Sequence, residues 1–189
     1  AKFHESTTIE IIWTIIPVII LVLMAVPATS TMIAMYDASE SDMDIKITGY
    51  QWKWHYDYGE SNVSFFSNLS TPQDQIHNNA PKGEHYLLEV DQPLVLPIHK
   101  KIRFLVSATD VIHSWWVPAL AIKRDAIPGF VNEAWTRIET PGIYRGQCTE
   151  LCGSGHGFMP IVIKAVTEEE YAVWLQSKQV QAKAETAMS

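Results

Sequence analysis

Only two cysteines occur in the 189 residues, four positions apart as Cys148 and Cys152. They are too few and too close for the disulfide framework that holds small secreted domains together. The 14 Lys and Arg residues are scattered and outnumbered by 21 Asp and Glu, giving a formal net charge of -7. No basic run is present that could track a phosphate backbone, so no nucleic acid is expected as a partner. The acidic balance favours a basic protein partner, drawn into encounter by charge. Neither Asn-Gly nor Asp-Gly occurs, which removes the strongest signal for a two-residue hairpin and predicts longer connections. No internal repeat is evident, and the length suits one ordinary domain with appended elements.

What the chain does have is one uncharged apolar run, Ile11–Tyr36. As a helix it would measure about 39 Å at about 1.5 Å per residue, against about 30 Å of bilayer hydrocarbon. Residues 1–36 are therefore expected to be a transmembrane helix with a short leader. A secretory signal fits less well, since Lys2 alone precedes the run and no clear cleavage site follows. A buried helix of a soluble protein is the bland alternative. Glu10, just before the run, is either an ionisable group placed at a membrane face to relay protons or a solvated carboxylate near a positive helix end. The residues alone leave both readings open.

Residues 37–43 read as an acidic linker. From 44 to 166 the chain turns to short segments rich in Val, Ile, Trp and Tyr, separated by turns, which predicts an all-β domain. Candidate strands cover 44–58, 86–89, 93–98, 101–108, 114–117, 134–138, 142–147 and 161–165. About eight short strands suit a sandwich or closed barrel. The polar stretch 59–83 reads as a surface excursion. Residues 167–189 are expected to be a short C-terminal helix and tail, opened by the capping box Thr167-Glu168-Glu169-Glu170 and packing Tyr171, Trp174 and Leu175 on the domain. Within 44–58, Tyr50, Trp52, Trp54, Tyr56 and Tyr58 recur at every second position. Period two places all five rings on one strand face. They are either core or interface-belt residues, or at least one Trp is exposed to meet an electron-transfer partner.

The strongest chemical signal is Cys148-x-x-x-Cys152-x-x-x-His156-x-x-Met159, on a predicted loop containing Gly153, Gly155 and Gly157. The glycines allow tight turns that aim four side chains at one point. Thiolate, thioether and imidazole together select copper over magnesium, calcium or manganese. A second thiolate beyond the single one of a mononuclear blue site lets two sulfurs bridge two metals, each of which still needs an imidazole. His113, between a hydrophobic and an aromatic segment, is the best second histidine. A Cys148–Cys152 disulfide and a zinc site of two Cys and two His compete with this reading, but neither has a use for Met159. His4, His55, His77, His85 and His99 show no ligand spacing and read as surface or ordinary hydrogen-bonded histidines.

These residues resemble cytochrome c oxidase subunit 2 over almost the whole chain. The resemblance is carried by Glu10-Ile11-Ile12-Trp13-Thr14-Ile15-Ile16-Pro17, Gln51-Trp52-Lys53-Trp54, Asp110-Val111-Ile112-His113-Ser114-Trp115, Asp125-Ala126-Ile127-Pro128-Gly129 and the loop from Gln147 through Ile161. It implies an all-β, cupredoxin-like sandwich over 44–166 with a dinuclear copper centre, CuA. In that family both cysteines, here Cys148 and Cys152, bridge two copper ions, His113 and His156 bind one each, and Met159 and the Glu150 carbonyl are weak ligands. The Glu150 carboxylate would serve a magnesium or manganese ion shared with the catalytic heme-copper subunit. Trp52 matches the residue that receives electrons from cytochrome c, and Glu10 the mouth of a proton channel. Asp57, Asp91 and Asp110 fall where the family docks that basic donor.

The resemblance also implies a bacterial plasma membrane or mitochondrial inner membrane, the copper domain facing the periplasm or intermembrane space. Most members have two transmembrane helices, and this chain has one, so a first helix is expected to be lost, cleaved or carried on another chain. Quinol oxidase subunits share the architecture without the copper ligands, and nitrous oxide reductase carries a similar loop in a larger soluble chain. A membrane-bound copper carrier or a disulfide-stabilised interaction module is the rival of a different class.

Overall fold

The apolar run and the residues just before it form α1 (Thr7–Tyr36), a helix of 30 residues, about 45 Å long at about 1.5 Å per residue. Its side chains are exposed throughout, and in length and composition it can cross a membrane. The computed structural model describes residues 4–188. Its backbone contacts divide the chain into two units, Ala1–Asp37 and Ala38–Ser189.

The second unit is a sandwich of two five-stranded sheets. The first has the order β3 (Ser64–Ser67), β2 (Lys53–Asp57), β1 (Met43–Tyr50), β5 (Ile102–Ala108), β8 (Asn132–Thr136); the second has β4 (Leu94–Pro97), β10 (Pro160–Val166), β9 (Gly142–Cys148), β6 (His113–Val117), β7 (Ile122–Ala126). β1 with β5 and β4 with β10 are parallel, and the other pairings are antiparallel. Alternating residues explain the two-layer core. β5 reads buried at Ile102, Phe104, Val106 and Ala108, with partly exposed residues between them, the period of a strand with one face inward. Ile45, Ile47, Trp54, Tyr56 and Phe104 from the first sheet meet Leu94, Leu96, Trp115, Ile161 and Ile163 from the second, all with no solvent exposure. Burying each such side chain contributes roughly 1.5–3 kcal/mol. Phe104 and Trp115 touch across the layers with ring centroids 5.0 Å apart.

The expected strand 44–58 is two strands. Tyr50 pairs with Lys53, so Gln51 and Trp52 form a two-residue turn, the short connection that the missing Asn-Gly argued against. A two-residue turn inverts the side-chain phase. Trp54 and Tyr56 point inward beside Gly49 and Ile47, while Tyr50 lies on the outer face against His55 and Phe66. The five rings therefore do not share a face. Of residues 86–89, expected as a strand, 86 and 87 lie in a turn and 88 and 89 in no regular element, and the stretch 59–83 contains β3 and a single-turn helix, α2 (Gln73–Ile76). β7 was not anticipated. The terminal helix is α3 (Glu168–Met188), and its capping box forms in both directions: Thr167 N–H donates to Glu170 Oε2 at 3.1 Å, and Glu170 N–H to Thr167 Oγ1 at 3.2 Å. Tyr171, Trp174 and Leu175 pack on the core.

Candidate metal centre

Three loops meet at the end of the sandwich where β5 leads to β6, where β9 leads to β10, and where β1 turns into β2. His113 opens β6, while Cys148 closes β9 and pairs with Trp115. The stretch after Cys148 is closed by Cys148 N–H donating to the Met159 carbonyl at 3.4 Å, so that Pro160 restarts the sheet opposite Gln147. This brings His113, distant in sequence, against both thiols: ligand atoms of His113, Cys148 and Cys152 lie within 4.8 Å of one another.

Both cysteines are free and buried, their sulfurs 3.8 Å apart, well beyond a disulfide bond of about 2.05 Å. Cys152 Sγ lies 3.6 Å from His156 Nδ1 and 3.7 Å from Met159 Sδ. Cys148 Sγ lies 3.4 Å from the Glu150 carbonyl oxygen. All six sequence-predicted residues of the centre thus converge, Glu150 through its backbone while the residue itself is exposed. Trp52 is partly buried, and its indole N–H donates to the Cys152 carbonyl at 3.1 Å. Glu10 lies in the first turn of α1, in the other unit, where its carbonyl accepts from the Thr14 hydroxyl.

His113 carries the clearest sign of a missing partner. Its Nε2 is 2.9 Å from Asp110 Oδ1, and a carboxylate only accepts, so Nε2 bears the proton. That leaves Nδ1 as a lone-pair nitrogen. It is buried and has no hydrogen-bond partner among the described residues, a costly arrangement unless something binds there. A soft metal fits: two thiols, a thioether and an imidazole nitrogen surround one point, and a carboxylate orients the histidine from behind. Of the three loop glycines, Gly153 has φ +116°, and a Cβ on Gly155 would come within 2.3 Å of the Trp52 ring. Nothing lies within 4 Å of the Cβ that Gly157 would carry.

The electrostatics separate the two thiols. Burial alone would raise Cys148, but the His113 imidazole beside it and the backbone at Ser114 and Glu150 outweigh it and lower the thiol to about 7. Burial, with the negative Cys148 beside it, pushes Cys152 up to about 12. His113 is raised: burial opposes its charge, and Cys148 and Asp110 override that opposition. Cys148 is therefore the thiol its surroundings hold lower, and a bound cation would favour the thiolate form of both.

Sequence reading missed the contacts that organise the site. Gln51 Nε2 donates to the Cys152 carbonyl at 2.9 Å, and Gln51 N–H to Asp110 Oδ2 at 2.7 Å. These span 101 and 59 residues, and no local motif announces them. The acidic side chains read as docking groups also have local work. Asp57 accepts from Gly59 N–H, Asp91 from Asn68 and Gln92, and Asp110 from Val111 N–H besides His113 and Gln51.

The family model for the periplasmic domain of cytochrome c oxidase subunit II matches residues 43–166, and that for the subunit's transmembrane domain matches residues 1–31. A probable cytochrome c oxidase subunit 2 from Rickettsia bellii is 47% identical over 178 residues, covering 94% of this chain and 65% of that protein. Cytochrome c oxidase subunit 2 of Cereibacter sphaeroides is 39% identical, covering 93% of this chain and 62% of its own length. The chain thus spans between half and two thirds of these bacterial relatives. Among solved structures, the periplasmic domain of subunit II (CoxB) of Bradyrhizobium japonicum superimposes with a TM-score of 0.68 at 39% identity, over 76% of this chain and 98% of its own. A mixed-disulfide intermediate between a thioredoxin-like protein and subunit II of cytochrome c oxidase also matches, with a TM-score of 0.62 at 38% identity over 77% and 97% of the two chains. With its helix and its β-domain matched by the two halves of one subunit's description, and its sandwich superimposing on that subunit's periplasmic domain, the chain belongs to the cytochrome c oxidase subunit II family.

Proposed function

We propose that the chain is the electron-accepting subunit of a respiratory cytochrome c oxidase. It takes electrons from cytochrome c and passes them to heme in the catalytic subunit, where oxygen reduction is coupled to proton translocation. The observation that carries this reading is the buried pair of free thiols ringed by His113, His156 and Met159, a donor set suited to copper and beyond what structural zinc requires. Cys148, Cys152, His113, His156, Met159 and the Glu150 carbonyl would together hold two copper ions. Bound there, the pair supplies a one-electron centre whose charge is shared between two metals.

The chain's own residues prepare that centre. Burial keeps water from the sulfurs, and strands on both sides hold the ligand loops, so gain and loss of an electron meet donors already in place. Asp110 fixes the His113 tautomer and leaves Nδ1 as the ligand atom. Trp52, partly buried and bonded to the Cys152 carbonyl, is the proposed point of electron uptake, with the acidic surface around Asp57, Asp91 and Asp110 drawing in the basic donor. The Glu150 carbonyl approaches Cys148 while the residue is exposed, which supports a carboxylate serving magnesium or manganese shared with the catalytic subunit. Glu10 would stand at a proton channel mouth. The β-domain would face the periplasm or intermembrane space of a bacterial plasma or mitochondrial inner membrane. Alone, the chain is expected to reduce no oxygen.

Stopped-flow mixing of the copper-loaded full chain in detergent with reduced cytochrome c tests the reading. Rapid reduction that slows as salt rises and is lost in Trp52→Gln supports it. A chain that takes up two coppers yet is never reduced by cytochrome c would overturn it.

A further inference from the structure

The turn between β1 and β2 offers no metal ligand, yet it grips both segments that do. On one side Gln51 N–H donates to Asp110 Oδ2, whose other oxygen holds His113 Nε2 at 2.9 Å. On the other, Gln51 Nε2 and Trp52 Nε1 both donate to the Cys152 carbonyl, at 2.9 and 3.1 Å. The packing beneath is equally close. A Cβ on Gly49 would lie 2.8 Å from His113 Cδ2, and one on Gly155 would lie 2.3 Å from the Trp52 ring. The turn thus fits against the histidine and the thiol loop with no room for slippage. Thr149 N–H donates to the Ser114 carbonyl at 3.0 Å beside Cys148, and the turn adds the tie from the His113 side to the Cys152 end of the loop.

We propose that Gln51 is a positioning residue for the metal centre, the link that fixes the His113 half and the Cys152 half in register. The inference rests on the copper reading above. Its main-chain N–H orients the histidine through Asp110, and its amide orients the Cys152 thiolate through that residue's carbonyl. Groups that orient metal ligands from behind are worth about 10–100-fold in metal affinity. Gln51 is exposed, so removing its amide leaves the core intact, and any effect must be read at the metal.

The test compares the copper-loaded full chain in detergent with Gln51→Leu, which deletes the donor, and Gln51→Glu, which sets an acceptor against the Cys152 carbonyl. The expected result is two coppers bound with an altered hyperfine pattern. Release to a Cu(I) chelator should be about tenfold faster in Gln51→Leu and faster still in Gln51→Glu, while the melting temperature of the copper-free chain changes little. A lowered melting temperature with unchanged spectrum and release would mark Gln51 as merely structural and overturn the proposal, as would no change at all. If the unsubstituted chain holds no copper pair, the copper reading itself falls and this inference falls with it. An ordinary pair in that chain, unaffected in both variants, sinks this inference alone.

Discussion

Cys148 is buried against Trp115 and faces a second free thiol, so its sulfur has little to do for the fold that a smaller atom could not do. Cys148→Ser is expected to abolish the metal pair, leaving at most one loosely held copper, and to cost about 1–3 kcal/mol for the newly buried hydroxyl. Copper content and thermal melting of the purified variant check both halves. Gly155→Ala acts from the other side. Its methyl would collide with the Trp52 ring rather than with a flexible chain end, and such overpacking costs about 1–3 kcal/mol. Under the proposed function, reduction by cytochrome c should also slow, measurable by stopped flow. At this scale the residues that meet at the candidate centre were legible because Cys148, Cys152, His156 and Met159 lie within one loop, and His113 sits where a strand begins. Asp110 as the orienter of His113 and Gln51 as the anchor of Cys152 were not legible, because each depends on a contact made only when distant loops meet.

At the scale of elements, α3 depends on the reciprocal cap at Thr167 and Glu170. Thr167→Ala should destabilise the β-domain unit by about 1 kcal/mol, because α3 carries Tyr171, Trp174 and Leu175 onto the core. A shift in urea midpoint with unchanged slope would show it. The cap was readable because its chemistry is local. The β1–β2 hairpin was not, since aromatic residues at even positions continue unbroken through Gln51 and Trp52 and hide a phase inversion that only strand pairing reveals. β7 escaped for a different reason. Ile122-Lys123-Arg124-Asp125-Ala126 places charges along an edge strand, a pattern that guards sheet edges and imitates a loop.

For the molecule as a whole, the parallel pairing of β1 with β5 joins the first strand of the sandwich to its middle, and the Asp44–Arg103 ion pair clasps that seam. The Arg103 hydrogen bond holds the Asp44 carboxyl below its ordinary value. A depressed carboxylate adds stability above its unfolded pKa and loses it as pH falls through the folded one. Arg103→Leu should therefore lower the melting temperature near neutral pH, and the gap from the unsubstituted chain should close as pH falls below the ordinary carboxylate range and through the lowered Asp44 value. A gap that persisted in acid would assign the effect to packing of the arginine stem. The two-layer sandwich was legible from strand-period patterning, and the candidate metal centre at its end from one loop, while the order of strands in each sheet was not, because parallel pairing leaves no mark on neighbouring residues. The central claim is that two thiolates and two imidazoles share one copper pair, and the electron paramagnetic resonance spectrum of the oxidised, copper-loaded full chain tests it most directly. Hyperfine structure from one unpaired electron spread equally over two copper nuclei is the expected result; the pattern of a single copper, or a silent chain with Cys148 joined to Cys152, would contradict it.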